Sequence, residues 1–296
     1  MALDELTTEA RAERPDYDLS STAELVALMN REDATVPAAI AAIAAELAAA
    51  IDALVERLRA GGRLVYVGAG SSGQIAALDA GECEATFSTE PGQVVALVAG
   101  AGLESAEERE AAEDDGGAGR RAVEELGVSE RDAVIGVSAS GRTPYTVAAL
   151  EAARTAGALA IAVVAVRDSQ LAGLADHELA AVVGPEFVAG STRLKAGTAQ
   201  KLVLNTISTV AMIRLGKTYG DLMVDVRTSN EKLAARARRI VRAATGVSED
   251  EAAQALADSD GSARVAIVSL LAGTDAATAR ERLERANGVI RSALER

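Results

Sequence analysis

The stretch Arg63-Leu-Val-Tyr-Val-Gly68-Ala-Gly70-Ser-Ser72-Gly73 decides the fold. A β-branched apolar run ends in a loop of glycine and serine, and a helical pattern resumes at Gln74. A strand that turns straight into a helix through small residues is the opening of a βα unit. Similar apolar runs recur at Val94–Val98, Ala133–Ser138, Ala158–Val166 and Leu179–Val183, with helical segments between most of them. Strands alternating with helices predict an α/β, doubly wound, mainly parallel sheet covered by helices on both faces. Upstream, Ser21-Thr22-Ala23-Glu24 has the form of a capping box, and an Ala-rich helix is expected over 36–59, stopping at Gly61-Gly62. A long helix is expected over 194–215. From Ser248 onward, breaks at Asp260-Gly261 and Gly273-Thr274 predict a small C-terminal subdomain of three helices.

Composition narrows the chemistry. The chain of 296 residues carries 44 Asp+Glu against 30 Lys+Arg, a net charge of −14, which disfavours a nucleic-acid partner because no general phosphate-neutralising face is available. Two Phe, four Tyr and no Trp leave few platforms for base stacking. One cysteine, Cys83, and one histidine, His177, disfavour a disulfide scaffold and a metal site, so neither metal nor cofactor is expected. Cys83 reads as a small buried residue and His177 as a loop or surface residue. The acidic N-terminus lacks a signal-peptide pattern and the longest Ala-rich stretch carries Glu46 and Asp52, so no membrane partner and a cytoplasmic location are expected.

Two strand-to-helix turns fit an anion. In Gly68-Ala69-Gly70-Ser71-Ser72-Gly73 and Ser138-Ala139-Ser140-Gly141-Arg142-Thr143-Pro144, hydroxyls and helix N-terminal N–H groups converge where the helix dipole is positive. Neither is a Walker loop, and the bland alternative is an ordinary βα turn with serine caps. Two acidic segments follow, 78–83 around Glu82 and 110–115 around Glu113. Paired carboxylates can act as acid and base without metal when their environments differ. On spacing alone, any one such Glu reads first as solvated helix surface. Lys195 and Lys201 either complement a ligand's charge or solubilise their helix.

Taken together, GAGSSGQIAALDAGECEATF, REAAEDD, VSASGRTPYT, GPEFVAGSTRLKAGTAQKLVLNTIST and GKTYGDLMVDVRTSNEKL resemble the N-acetylmuramic acid 6-phosphate etherases, a group within the SIS, or sugar isomerase, fold family. The resemblance covers nearly the whole chain. It implies N-terminal helices over 1–60, an SIS sugar-phosphate domain over 61–240 and the helical subdomain over 241–296. It implies cleavage of a D-lactyl ether by elimination and hydration, with Glu82 as acid at the leaving oxygen and Glu113 as base at C2. Ser71, Ser72, Ser138, Ser140 and Thr143 are the expected phosphate ligands, with Gly70, Gly73 and Lys195 as further substrate contacts. The expected partner is a phosphorylated amino sugar, and the expected assembly a homodimer with its site near the interface. The chain departs from the family pattern at Gln74-Ile75, where Arg-Leu is usual, and at Glu84-Ala85, where Pro-Pro is usual. A non-catalytic sugar-phosphate sensor on the same fold is the alternative expectation, and an amino-sugar phosphate isomerase a third.

Overall fold

The computed structural model describes residues 7–11, 17–225 and 231–295. Residues 1–6 of the N-terminal segment and 226–230 of the GKTYGDLMVDVRTSNEKL block lie outside the described residues. The chain forms two compact units, one from residues 1–81 and 92–208, the other from 82–91 and 209–296.

The first unit holds the sheet. Strands β1 (Leu64–Gly68), β2 (Val94–Val98), β3 (Ala133–Val137), β4 (Leu159–Val164) and β5 (His177–Ala180) are arranged β2-β1-β3-β4-β5, and every pair is parallel. The strands β1, β3 and β4 are buried throughout, which is why their sequences are apolar without alternation. Helix α7 (Pro144–Thr155) covers one face, seating Tyr145, Ala149, Leu150 and Ala153 in a core with Val65, Val134 and Ala162. His177 opens β5 and is half-buried, not a loop residue, because its neighbours Leu179 and Ala180 carry it into the sheet edge.

A buried ion pair fixes how β1 enters beside β3. Arg63 donates through Nη2 to Asp132 Oδ2 at 2.8 Å and through its backbone N–H to Oδ1 at 2.8 Å. Burial pushes the Asp132 carboxyl up, but hydrogen bonds from Arg63 and the Ser129 N–H outweigh it and hold the pKa below the ordinary value.

The Ser21 capping box forms as expected at the start of α1 (Thr22–Asp33). The single helix expected over 36–59 does not. It is broken into α2 (Val36–Ala41) and α3 (Ala44–Arg59), and the axis from 22–41 meets that of 44–59 at 59°. The break falls at Ile43, which leaves helical geometry at φ −113° and is 1% exposed. Burial of that side chain, not a glycine or proline, ends the helix there. Among the described residues no single helix is long and apolar enough to cross a membrane.

The second unit is helical apart from a hairpin of β6 (Thr218–Tyr219) and β7 (Leu222–Met223). Helix α9 (Glu231–Thr245) joins α10 (Glu249–Asp258), α11 (Ala263–Ala272) and α12 (Ala276–Arg285) around one apolar core. A further short helix, α13 (Ile290–Leu294), follows. The three helices expected after Ser248 are therefore four. Asn287 and Gly288, both at positive φ, end α12 early, and Ile290 and Ala293 are buried by the turn that follows.

Candidate functional site

In a sheet ordered 2-1-3-4-5 the chain moves outward in opposite directions from β1. The crevice between the C-terminal ends of β1 and β3 is then the switch point at which ligands bind. Gly68 and Val137 are register partners across that gap, so the two hydroxyl-rich loops leave the sheet side by side.

The first loop opens α4 (Gly70–Phe87). Gly70 has φ +50°, and a Cβ built there would lie 2.6 Å from Glu113 Oε1. Gly73 packs under the loop, where a Cβ would lie 2.7 Å from the Val98 side chain and 2.8 Å from the Gly68 carbonyl oxygen. Ser71 is exposed and Ser72 half-buried. The Ser72 hydroxyl donates to Gln200 Oε1 at 3.0 Å. Gln200 is 3% exposed, and its Nε2 has no hydrogen-bond partner.

The second loop is held from both sides. The Ser138 Oγ accepts from the Gly141 N–H at 3.1 Å and shares a hydrogen bond of 2.9 Å with Thr143 Oγ1. Gly141, at φ +64°, accepts from the Leu171 N–H at 2.9 Å, and a Cβ there would lie 2.2 Å from Ser169 Oγ. Thr143 is the N-cap of α7 yet makes no side-chain capping bond, and Pro144 follows it. Its hydroxyl turns back to Ser138, and the first N–H donors of α7 stay open to an anion. Ser140 is half-buried between these anchors.

Glu113 is the last residue of α5 (Ala106–Glu113), a helix started by the Ser105–Glu108 capping box. Its pKa is raised, first by burial and then by the negative charges of Asp114 and Glu110. The carboxylate borders a cavity of about 430 Å³ lined by Gly70, Gln74, Gly100, Arg109 and Glu110 among others. A half-buried carboxylate with raised pKa, at the mouth of a helix N-terminus, is suited to take a proton from a carbon acid bound in that cavity. Another cavity, of about 350 Å³ beside Ala39, Ala42 and Val166, contains none of the expected site residues.

The structure thus brings Gly70 to Glu113, Ser138 to Thr143 and Ser72 to Gln200. Glu82 is exposed on α4 and belongs to the second unit. Gly81, the residue before it, is about 16 Å along α4 from Gly70 at the helical rise of 1.5 Å per residue. Lys195, at the start of α8 (Lys195–Arg214), is 3% exposed and donates to Glu32 Oε2 at 2.9 Å. Its side chain is already engaged in a buried ion pair. Cys83 is buried, as expected. Arg109 and Gln200 were not singled out from sequence. Arg109 carried one usable signal, its position four residues before Glu113 on a helix.

The SIS domain family matches residues 30–165 and again 123–209. N-acetylmuramic acid 6-phosphate etherase from Streptomyces avermitilis is 54% identical over 99% of this chain and 94% of its own. The protein of the same name from Rubrobacter xylanophilus is 56% identical over 99% and 97%, and that from Mycolicibacterium smegmatis 48% over 99% and 99%. Among solved structures, the phosphoheptose isomerase GmhA from Neisseria gonorrhoeae superposes with a TM-score of 0.52 at 18% identity, covering 64% of this chain and 98% of that one. A phosphosugar isomerase from Bacteroides fragilis gives 0.51 at 22%, covering 68% and 95%. Full-length identity above half to several such relatives leaves no ambiguity of lineage: the chain belongs to the N-acetylmuramic acid 6-phosphate etherase family, built on the SIS domain.

Proposed function

We propose that the chain cleaves the D-lactyl ether of N-acetylmuramic acid 6-phosphate, giving N-acetylglucosamine 6-phosphate and D-lactate in the recycling of cell-wall sugar. The observation that carries this reading is the Glu113 carboxylate, its pKa raised, seated against Gly70 at the head of α4. The name shared by the full-length relatives favours it over a non-catalytic sensor.

The chemistry follows from the sugar. Opening the ring exposes the C1 aldehyde, which makes the C2 proton acidic. Glu113 takes that proton, the C2 electrons form a double bond to C3, and the C3–O bond breaks. Glu82 gives a proton to the departing lactyl oxygen. Water then adds across the unsaturated aldehyde, its hydroxyl to C3 and its proton to C2. Raising the pKa of Glu113 makes its carboxylate the stronger base. Ser71, Ser72, Ser138, Ser140 and Thr143, with the N–H groups of α4 and α7, hold the phosphate.

The proposed assembly is a homodimer with its site near the interface. A cytoplasmic location fits a phosphorylated substrate and a chain whose single cysteine allows no intrachain disulfide. The test is D-lactate release from N-acetylmuramic acid 6-phosphate. Equimolar lactate and N-acetylglucosamine 6-phosphate are expected from the wild type, and none from Glu113→Gln or Glu82→Ala. A wild type that releases no lactate overturns the reading.

A further inference from the structure

N-acetylmuramic acid 6-phosphate carries two anions, and the loops after β1 and β3 answer only the phosphate. The lactyl carboxylate, attached through C3 and so only a few bonds from the C2 proton, needs its own partner. The cavity beside Glu113 is hostile to it, because Glu110 and Glu113 both line the wall. An anionic substituent enters such a space only against a cation.

Among the described residues, Arg109 is the one cation lining that cavity. It precedes Glu113 by one turn of α5, so the two side chains leave the same face with Cβ atoms about 5–6 Å apart. Its Nη1 donates to the carbonyl oxygens of Leu103 and Glu104 at 2.9 and 2.8 Å, which anchors the guanidinium to the cavity loop. Neither bond uses Nε or Nη2, and among the described residues Arg109 makes no ion pair. An anchored guanidinium with one edge unspent matches the two oxygens of a carboxylate.

We propose that Arg109 binds the lactyl carboxylate and selects the lactyl ether over amino-sugar phosphates that lack it; this rests on the etherase reading above. Arg109 and Glu113 then divide the substrate between them. One holds the leaving group by its carboxylate while the other draws the proton from the neighbouring carbon.

The test compares two sugars that differ only in the lactyl group. Arg109→Gln should raise KM for N-acetylmuramic acid 6-phosphate about 10- to 100-fold, the usual range for losing a charged, paired hydrogen bond. Inhibition by N-acetylglucosamine 6-phosphate should change less than about twofold. Arg109→Lys should fall between, keeping the charge without the fork. Equal weakening of both sugars overturns the proposal and assigns Arg109 to the fold of its loop; no change in either also overturns it. Should the wild type release no lactate, calorimetric titration of both sugars into wild type and Arg109→Gln still reads the carboxylate contact. Selective loss of the lactyl sugar upholds it, and its absence overturns it, independently of turnover.

Discussion

The Glu113 carboxylate lies where any side chain on Gly70 would have to go. A Cβ at residue 70 would approach Glu113 Oε1 to 2.6 Å, well inside contact distance, and the backbone there is at φ +50°. Glycine is therefore required twice over, for the turn into α4 and for the seat of the Glu113 carboxylate. Gly70→Ala should cost about 1 kcal/mol in backbone strain. It should reduce kcat far more than stability accounts for, about 100-fold or beyond, since a small misplacement of a reacting group carries that penalty. Parallel measurement of thermal unfolding and lactate release checks the two effects. Wild-type kcat in a folded Gly70→Ala protein would show that Glu113 works elsewhere.

The raised pKa of Glu113 sets a pH dependence with a definite sign. As a base it acts ionised, so kcat/KM should rise with pH through a limb above the ordinary glutamate value of about 4.3. The same shift affects folding in the opposite sense to a paired carboxylate. The native state holds this proton more tightly than the unfolded chain, so its contribution to stability is full below the unfolded pKa and is lost as pH rises through the folded one. Asp114→Asn removes one of the charges that raise it and does not line the cavity. That variant should move the acid limb of kcat/KM to lower pH and leave the plateau unchanged. A limb that stays fixed, or moves up, contradicts the assignment of Glu113 to it.

Asp79 has the opposite character, although the sequence places it among the same acidic residues. It is 4% exposed and accepts from the Tyr66 hydroxyl at 2.7 Å, Asn205 Nδ2 at 2.5 Å and Ser208 Oγ at 3.1 Å. It ties β1, α4 and α8 together and faces no cavity lining described above. Asp79→Ala removes the buried acceptor shared by Tyr66, Asn205 and Ser208 and should destabilise the protein by about 3 kcal/mol. Urea unfolding measures it directly, and a loss under about 1 kcal/mol would show that the network is dispensable.

How far the sequence could be read depends on how local each cause is. The strands were legible because burial on both faces imposes runs without polar alternation, as in Leu64-Val-Tyr-Val67. Both strand-to-helix turns were legible because a helix N-terminus is written in adjacent residues. Contacts between distant segments were not. The N–H groups of Lys195 and Ala196 at the head of α8 are bonded at 2.9 Å by the buried carboxylate of Glu186, nine and ten residues earlier, although Ser191-Thr192 look like the natural caps. Ser72 meets Gln200 across 128 residues. Local sequence favoured Glu82 over Glu113, because it stands in a small, apolar context beside Cys83 and before Phe87. Tertiary structure half-buries Glu113 against Gly70, while Glu82 stays exposed.

The phosphate reading makes its sharpest demand at the head of α7. Thr143 shares a hydrogen bond with Ser138 and makes no side-chain cap, so on the proposed reading the N–H groups of α7 and the Ser140 hydroxyl are left to meet the phosphate. A carboxylate placed among them would satisfy those donors itself and repel a phosphate. Ser140→Asp should therefore weaken N-acetylglucosamine 6-phosphate by more than about 100-fold, close to the cost of losing several charged hydrogen bonds, and bring it level with the unphosphorylated sugar. Thermal stability should hold or rise, because a carboxylate near a helix N-terminus is favoured by the helix dipole. Thr143→Val removes one hydroxyl and leaves the backbone donors, so it should weaken binding only about 10-fold. The contrast between the two variants separates charge at the helix end from loss of a single contact. If Ser140→Asp binds the phosphorylated sugar as tightly as the wild type does, the phosphate sits at some other place in the molecule.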